Sequence, residues 1–513
     1  MRTRSAPLTT PIATLAAVLG ILAGPVRVAS AQPAPAYTPI ALTAEDATAD
    51  ARLLREALER IHPGLTRYTP AGEIDAAFDL LERACADGAT DFDLYRDIML
   101  LLARIRCDHT KAELPEAIDR FRRESPTFAP VGWRAIGDRL FLTAVGDGVE
   151  GAAPGDEVLS INGAPAGGVI RLVESCISVD GWTDLVKANE IGGASEWLGD
   201  SLGHVLPFFH GFADSFTLEV RAGDDAPVRT VTLDAVVYDD WLAINTRGGS
   251  QSRNFDDEGA VVSEVLPGNV GYLMVETFVN YRTNADPRTL LAPHFERFRD
   301  AGCETVIFDL RNCGGGSTDV PGALLRYFAD RPFTAASRPF RVRTYNLDGL
   351  REHLSTWEEI ALNPPPKLFT PAGEGWFEIS TEVSPGSFRP VAPYDDRFDG
   401  RLIVLTGPQN ASGATNFCAV LREFRDDLLF VGQPTGGSAE GTTAGVIFFL
   451  RLPNSGVTVR IPYYQSFNTT GDFTPGMGIV PDILVPETVA DFRSGRDAAL
   501  ERALELARDA DGR

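Results

Sequence analysis

The stretch Glu304–Ser317, ETVIFDLRNCGGGS, constrains this chain more than any other. Thr305 to Leu310 is a continuous run of β-branched and apolar residues, the pattern of a strand buried on both faces. It breaks at once into Asn312, Cys313 and three glycines, Gly314, Gly315 and Gly316. Consecutive glycines after a buried strand permit positive φ and let backbone N–H groups come close to a bound group. The spacing predicts a helix over 319–328, with its N-terminus aimed at the same spot. A Walker lysine and GxGxxG spacing are both missing, which argues against phosphate as the bound group.

A second stretch, Arg401 to Glu423, repeats the architecture with a different turn. Leu402 to Leu405 is a buried strand, 407–411 a turn, and an amphipathic helix starts at Ser412. A serine at a strand–turn–helix junction holds its hydroxyl above the sheet. The N–H of the next residue, Gly413, is free in the helix's first turn. Taken alone, such a serine reads first as a helix N-cap. Beside a glycine turn, it also supplies what acyl transfer needs: a nucleophile with backbone donors for one oxyanion.

Four segments in this order, DLRNCGGG, LTGPQNASGA, VGQPTGGS and MGIVPDI, resemble the tail-specific or C-terminal-processing serine peptidases, peptidase family S41, and their tricorn-like relatives. The resemblance spans most of the chain after the first thirty-odd residues. It implies hydrolysis of proteins or peptides near their C-termini. It also implies a Ser412 nucleophile, with oxyanion donors from Gly413 and the glycine triplet, Gly315 foremost.

The group that activates Ser412 is the next question. One branch of the family uses a lysine downstream of the serine, and that position is Gly437 here. The chain has three lysines, Lys111, Lys187 and Lys367, and none follows Gly407. The tricorn-like branch instead carries a His-Thr or His-Ser pair after a helix, its histidine serving as general base. Of six histidines, His109, followed by Thr110, matches that context. Chain and family together therefore point to His109 as base, closer to the tricorn-like branch than to the Ser–Lys branch. A third group should hold the imidazole in its working tautomer. Where the tricorn-like pattern has a glutamate, this chain has Pro475, so Asp472, Glu440 and Asp108 all stand as possible orienting groups.

The remaining organisation follows in chain order. Residues 1–31 read as a secretory signal: Arg2 and Arg4, an apolar run from Ile12 to Ala23, then Ala29-Ser30-Ala31 as cleavage site. The run is too short to span a bilayer, so export to the periplasm or beyond is expected, without membrane insertion. Removing the signal takes away three arginines and no acid, making the net charge of −24 more negative still. That excess disfavours nucleic acid as a partner. Residues 32–42 read as a disordered tail and 43–125 as a helical domain, with helices over 43–61, 74–86 and 91–105. Residues 126–236 form a PDZ-like β-rich domain. Its Gly155–Gly163 string, GDEVLSING, is similar to a recurrent PDZ signature, 167–176 is its groove helix, and 180–212 a helical insertion. Residues 237–490 form a tail-specific-protease-like α/β catalytic domain of the ClpP/crotonase-like kind, and 491–513 the C-terminal helix. The fold class is thus a multidomain α+β and α/β chain.

Within this frame, 238–253 reads as an irregular linker. The proline-rich stretch 332–399, carrying Trp357 and Trp376, reads as a long lid or substrate wall. Residues 489–509 read as one amphipathic helix. Six cysteines match no zinc spacing, so no metal or cofactor is expected. Cys85 and Cys107 lie in one helical region where an exported chain allows a disulfide. Two other functions stay open: a catalytically inactive relative binding a peptide or apolar small molecule in the old groove, and a scaffold recruiting proteins through its PDZ-like unit.

Overall fold

The structure, a computed structural model, describes residues 37–193, 198–246 and 254–510; the expected signal segment and residues 32–36 of the expected tail lie outside them. A six-stranded sheet carries the glycine and serine turns. Its strand order is 261–266, 270–275, 305–309, 401–406, 428–432, 483–484. The first pair is antiparallel and the others run parallel. Strand Thr305–Asp309 is buried at every position, which explains its unbroken apolar run. Alternate residues serve opposite faces, as strand geometry requires. Val306, Phe308, Leu402 and Val404 pack under helices Pro287–Asp300, Asp319–Phe328 and Ser412–Phe424. Ile307, Ile403 and Leu405 pack against Ala503 and Ala507 of the last helix.

The N-terminal helices fall close to expectation: Ala44–Ile61, capped by the Thr43 side chain, then Ala71–Cys85 and Asp91–Ile105. They do not form a separate body. Leu54, Leu58, Ile61 and Leu102 share one core with Phe448, Leu450, Val459 and Ile461 of the hairpin Thr443–Arg451 and Thr458–Gln465. Strand Ala112–Glu113 pairs with that hairpin. The fully buried Asp50 carboxylate accepts from the N–H groups of Asn454 and Ser455, at 3.2 and 2.7 Å. This docking places the turn after helix Asp91–Ile105 opposite the six-stranded sheet.

The β-rich unit has strands Val131–Ile136, Arg139–Val145, Glu157–Ile161, Ser215–Arg221 and Arg229–Asp234, and helix Ala166–Glu174. Asn162 and Gly163, at φ 50° and 79°, make the tight turn their sequence announces. Three expectations are corrected. Tyr238–Asn245 is a helix, held by the buried Trp241 and Ile244, where an irregular linker was expected. The 332–399 excursion is not structureless: Arg341–Val342, Leu354–Ser355, Phe369–Gly373 and Trp376–Ile379 join the hairpin in a seven-stranded sheet. The C-terminal helix is two, Val489–Ser494 and Ala498–Ala510, because Gly495 takes the left-handed conformation at φ 67° and ends the first. The pairing of Cys85 and Cys107, left open above, does not occur: all six cysteines are free thiols.

Candidate active site

Ser412 opens helix Ser412–Phe424 at φ 45°, a left-handed conformation rare for a residue with a side chain. Such strain persists only where surrounding contacts hold it, and here Asn410 does so. Its side-chain amide, fully buried, donates to the carbonyls of Leu310 and Cys313, and its Oδ1 accepts from Gly407 N–H at 2.9 Å. Its own carbonyl accepts from Gly436 N–H, Gly437 N–H and Thr415 Oγ1 at 2.7, 3.0 and 2.6 Å. One residue thereby ties the serine turn to the glycine turn.

The two turns end neighbouring parallel strands, Asp309 lying beside Leu405. Gly315 has φ 106°, and a Cβ there would fall 2.7 Å from Gly413 N and 3.1 Å from Ser412 Cβ. Glycine is therefore required twice, for its φ and for the close approach. The Gly315 N–H has the buried Cys313 thiol as a neighbour, while Gly413 N–H belongs to a helix's first turn, where no preceding turn accepts it.

His109 arrives from the other side. Helix Asp91–Ile105 ends at Arg106, left-handed at φ 58°, and the turn that follows carries His109. Its Nε2 lies 3.2 Å from Ser412 Oγ, across 303 residues of sequence. A second histidine anchors this turn. His62 Nδ1 accepts from Gly64 N–H at 2.9 Å, so its Nε2 is the donor to Thr110 Oγ1 at 2.7 Å. Burial pushes the His62 imidazole down to about 3, keeping it neutral in this role.

The lysine position of the other branch is filled. A side chain at Gly437 would start 2.7 Å from Thr415 Oγ1 and 3.1 Å from Ser412 N. Of the possible orienting groups, Asp108 is ion-paired with Lys111 at 3.0 Å. Glu440 is held by Arg67 at 2.7 Å and Tyr68 Oη at 2.6 Å, and Asp472 is exposed. The carboxylate beside His109 is instead Asp180, buried on the segment that follows helix Ala166–Glu174. Oxygen and ring nitrogen of this pair, with Cys107 Sγ, lie within 4.8 Å of one another. Three such groups are also a possible metal cluster. However, burial raises the Cys107 thiol and keeps it protonated, and it faces the Thr443 carbonyl at 3.6 Å. A neutral thiol directed elsewhere is a poor ligand. Asp180 carried no signal in the sequence beyond being an aspartate in a loop.

Ser412, His109 and Gly315 line one cavity of about 1280 Å³. Its walls include Phe340, Tyr464 and Phe467, with Trp357 from the long excursion. Trp357 leaves 63% of its surface exposed and meets Phe449 edge-on at 5.2 Å. Among the described residues no helix is long and apolar enough to cross a membrane.

A family model, peptidase family S41, matches residues 269–485, the span that holds both turns. Among solved structures, mature CPAF is similar at 17% identity, covering 92% of this chain and 99% of that one, with a TM-score of 0.59. Mature CPAF complexed with lactacystin gives 17% identity, 91% and 98% coverage and a TM-score of 0.58. At that identity the likeness concerns the fold, and it extends over nearly the whole of both chains. The matched span, 217 of 513 residues, together with the motifs it contains, makes residues 269–485 similar to peptidase family S41, a family of serine-type peptidases.

Proposed function

We propose that this protein is an exported serine peptidase that cuts proteins or peptides near their C-termini through an acyl-enzyme. The observation that carries the reading is the 3.2 Å approach of His109 Nε2 to Ser412 Oγ, on a serine whose φ of 45° lifts it out of an ordinary helix start. In this reading His109 accepts the Ser412 proton as Oγ attacks the scissile carbonyl carbon. The carbonyl oxygen becomes an oxyanion facing the N–H groups of Gly413 and Gly315. The C–N bond breaks as the imidazolium returns its proton to the leaving amine. Water, deprotonated by the same imidazole, then releases the new C-terminus and regenerates Ser412. The aromatic wall of the cavity suits apolar substrate side chains.

Treatment with a fluorophosphonate probe followed by mass spectrometry tests the reading. The expected result is a single adduct on Ser412, lost in His109→Ala. An unlabelled Ser412 in folded protein would favour the inactive, peptide-binding alternative. N-terminal sequencing of the exported form should begin at Gln32, and a mature chain that keeps Arg2 and Arg4 would remove the export argument.

A further inference from the structure

Two buried polar atoms near the serine have no hydrogen-bond partner among the described residues: His109 Nδ1 and Asp180 Oδ2. The two residues are neighbours. Asp180 is 2% exposed, and its other oxygen is already used, accepting from Asp108 N–H at 2.9 Å. Unpaired buried polar atoms are costly and uncommon, and two such atoms on neighbouring residues share one remedy: a hydrogen bond from Nδ1–H to Oδ2.

The segment holding Asp180 is clamped from both sides. Ser178 Oγ donates to the Thr110 carbonyl at 3.0 Å. Gly181 N–H donates to the Arg106 carbonyl at 3.0 Å, and Arg106 Nη1 returns a bond to Gly181 O at 2.7 Å. The Arg106 guanidinium stacks on Trp182 at 4.1 Å. Towards the catalytic sheet, Trp182 N–H donates to Gly476 O and Thr183 Oγ1 to Gly436 O, both at 2.7 Å. Asp180 thus comes from the insertion of the PDZ-like unit, His109 from the helical unit and Ser412 from the catalytic sheet.

We propose that Asp180 is the positioning residue for His109. Its Oδ2 accepts Nδ1–H, which fixes the tautomer with a bare Nε2 toward Ser412 and stabilises the imidazolium formed on attack. The proton taken from Ser412 stays on the imidazole, and Asp180 stays a carboxylate throughout. The charged and titratable groups facing Asp180 are His109, Asp108, Arg67 and Cys107. Arg67 is ion-paired with Glu440 and Asp108 with Lys111, and burial keeps the Cys107 thiol neutral. His109 is the member of this set whose charge changes during turnover. This inference rests on Ser412 and His109 being nucleophile and base.

Asp180→Asn tests it. The amide cannot hold the imidazole in the working tautomer, so kcat should fall roughly 1000- to 10,000-fold with KM nearly unchanged, by analogy with the same change in a serine-protease triad. Losing the carboxylate also destabilises the imidazolium, so the acid limb of kcat/KM should move to lower pH. Asp180→Glu should recover part of the rate. Independently of any variant's folding, the wild type should show a far-downfield proton resonance for Nδ1–H, absent in His109→Ala. Asp180→Asn activity within about threefold of wild type, with an unmoved acid limb, would overturn the proposal. So would a wild type lacking that resonance, or stoichiometric zinc that is lost on mutating Asp180. If Ser412→Ala and His109→Ala remain active, the peptidase reading itself fails. If both are inactive while Asp180→Asn is not, this inference alone fails.

Discussion

Ser412 and Gly315 stand at the ends of neighbouring parallel strands of one sheet, whereas His109 lies on the turn after helix Asp91–Ile105, with Asp180 beside it, and reaches the serine only through packing. The first half is positioned by strand register and by a single buried amide, Asn410. The second is positioned by docking: a shared core between the N-terminal helices and the hairpin, a neutral buried histidine under the turn, and a clamped loop. Geometry within a sheet is set to fractions of an ångström by backbone bonding, so the serine half should tolerate loosening elsewhere. The histidine half should couple activity to the packing that docks it.

The largest effect should come from breaking the joint between the halves. Ser412→Ala and His109→Ala should each lower kcat by about 10,000-fold or more, and the double mutant should be little worse, because groups acting as one unit are not additive. Additive losses in a kinetic cycle would mean that the two act separately. Next comes Gly315→Val, whose Cβ would sit on Gly413 N. On the proposed role of Gly315, loss of one oxyanion donor costs about 3 kcal/mol, or roughly 100- to 1000-fold in rate, and the melting temperature should fall as well, because φ 106° and the close backbone disfavour a side chain there; full activity would assign the glycine turn to packing alone.

Asn410→Ala sharpens the contrast from the stability side. It leaves two carbonyls and one N–H of the paired turns without their buried partner, at a cost of about 2–4 kcal/mol. Thermal unfolding should detect this, and a neutral result would show that the strands alone hold the turns.

The smallest effect at neutral pH, but a diagnostic one, concerns His62. Its folded-state pKa lies near 3, below an unfolded value of about 6.5. Below pH 6.5 the unfolded chain takes up a proton that the folded chain refuses, so stability is fully present above about pH 6.5 and drains away toward pH 3. Between pH 6.5 and 4 the loss from this one group is about 3 kcal/mol. His62→Gln should flatten that part of the stability profile in urea titrations. Identical slopes for both proteins would remove His62 as the acid-sensitive anchor of the histidine half.

The sequence by itself determined the two buried strands at 305–310 and 402–405, the turns that follow them and the place of the serine. Each is a local matter: a buried strand needs an apolar run, and a positive φ beside a close backbone approach needs glycine. The missing lysine was equally legible, and the cramped surroundings of Gly437 give its physical reason. The approach of His109 to Ser412 was legible only through its family-like context, since nothing local distinguishes such a histidine from a capping one. The helix at Tyr238–Asn245 and the strands within 332–399 escaped notice because they are short and owe their form to packing on distant elements. Asp180 was decided by tertiary structure alone. An aspartate in a loop is ordinarily solvated, and only the packing of distant segments over it buries it beside His109, each residue with one polar atom that lacks a partner.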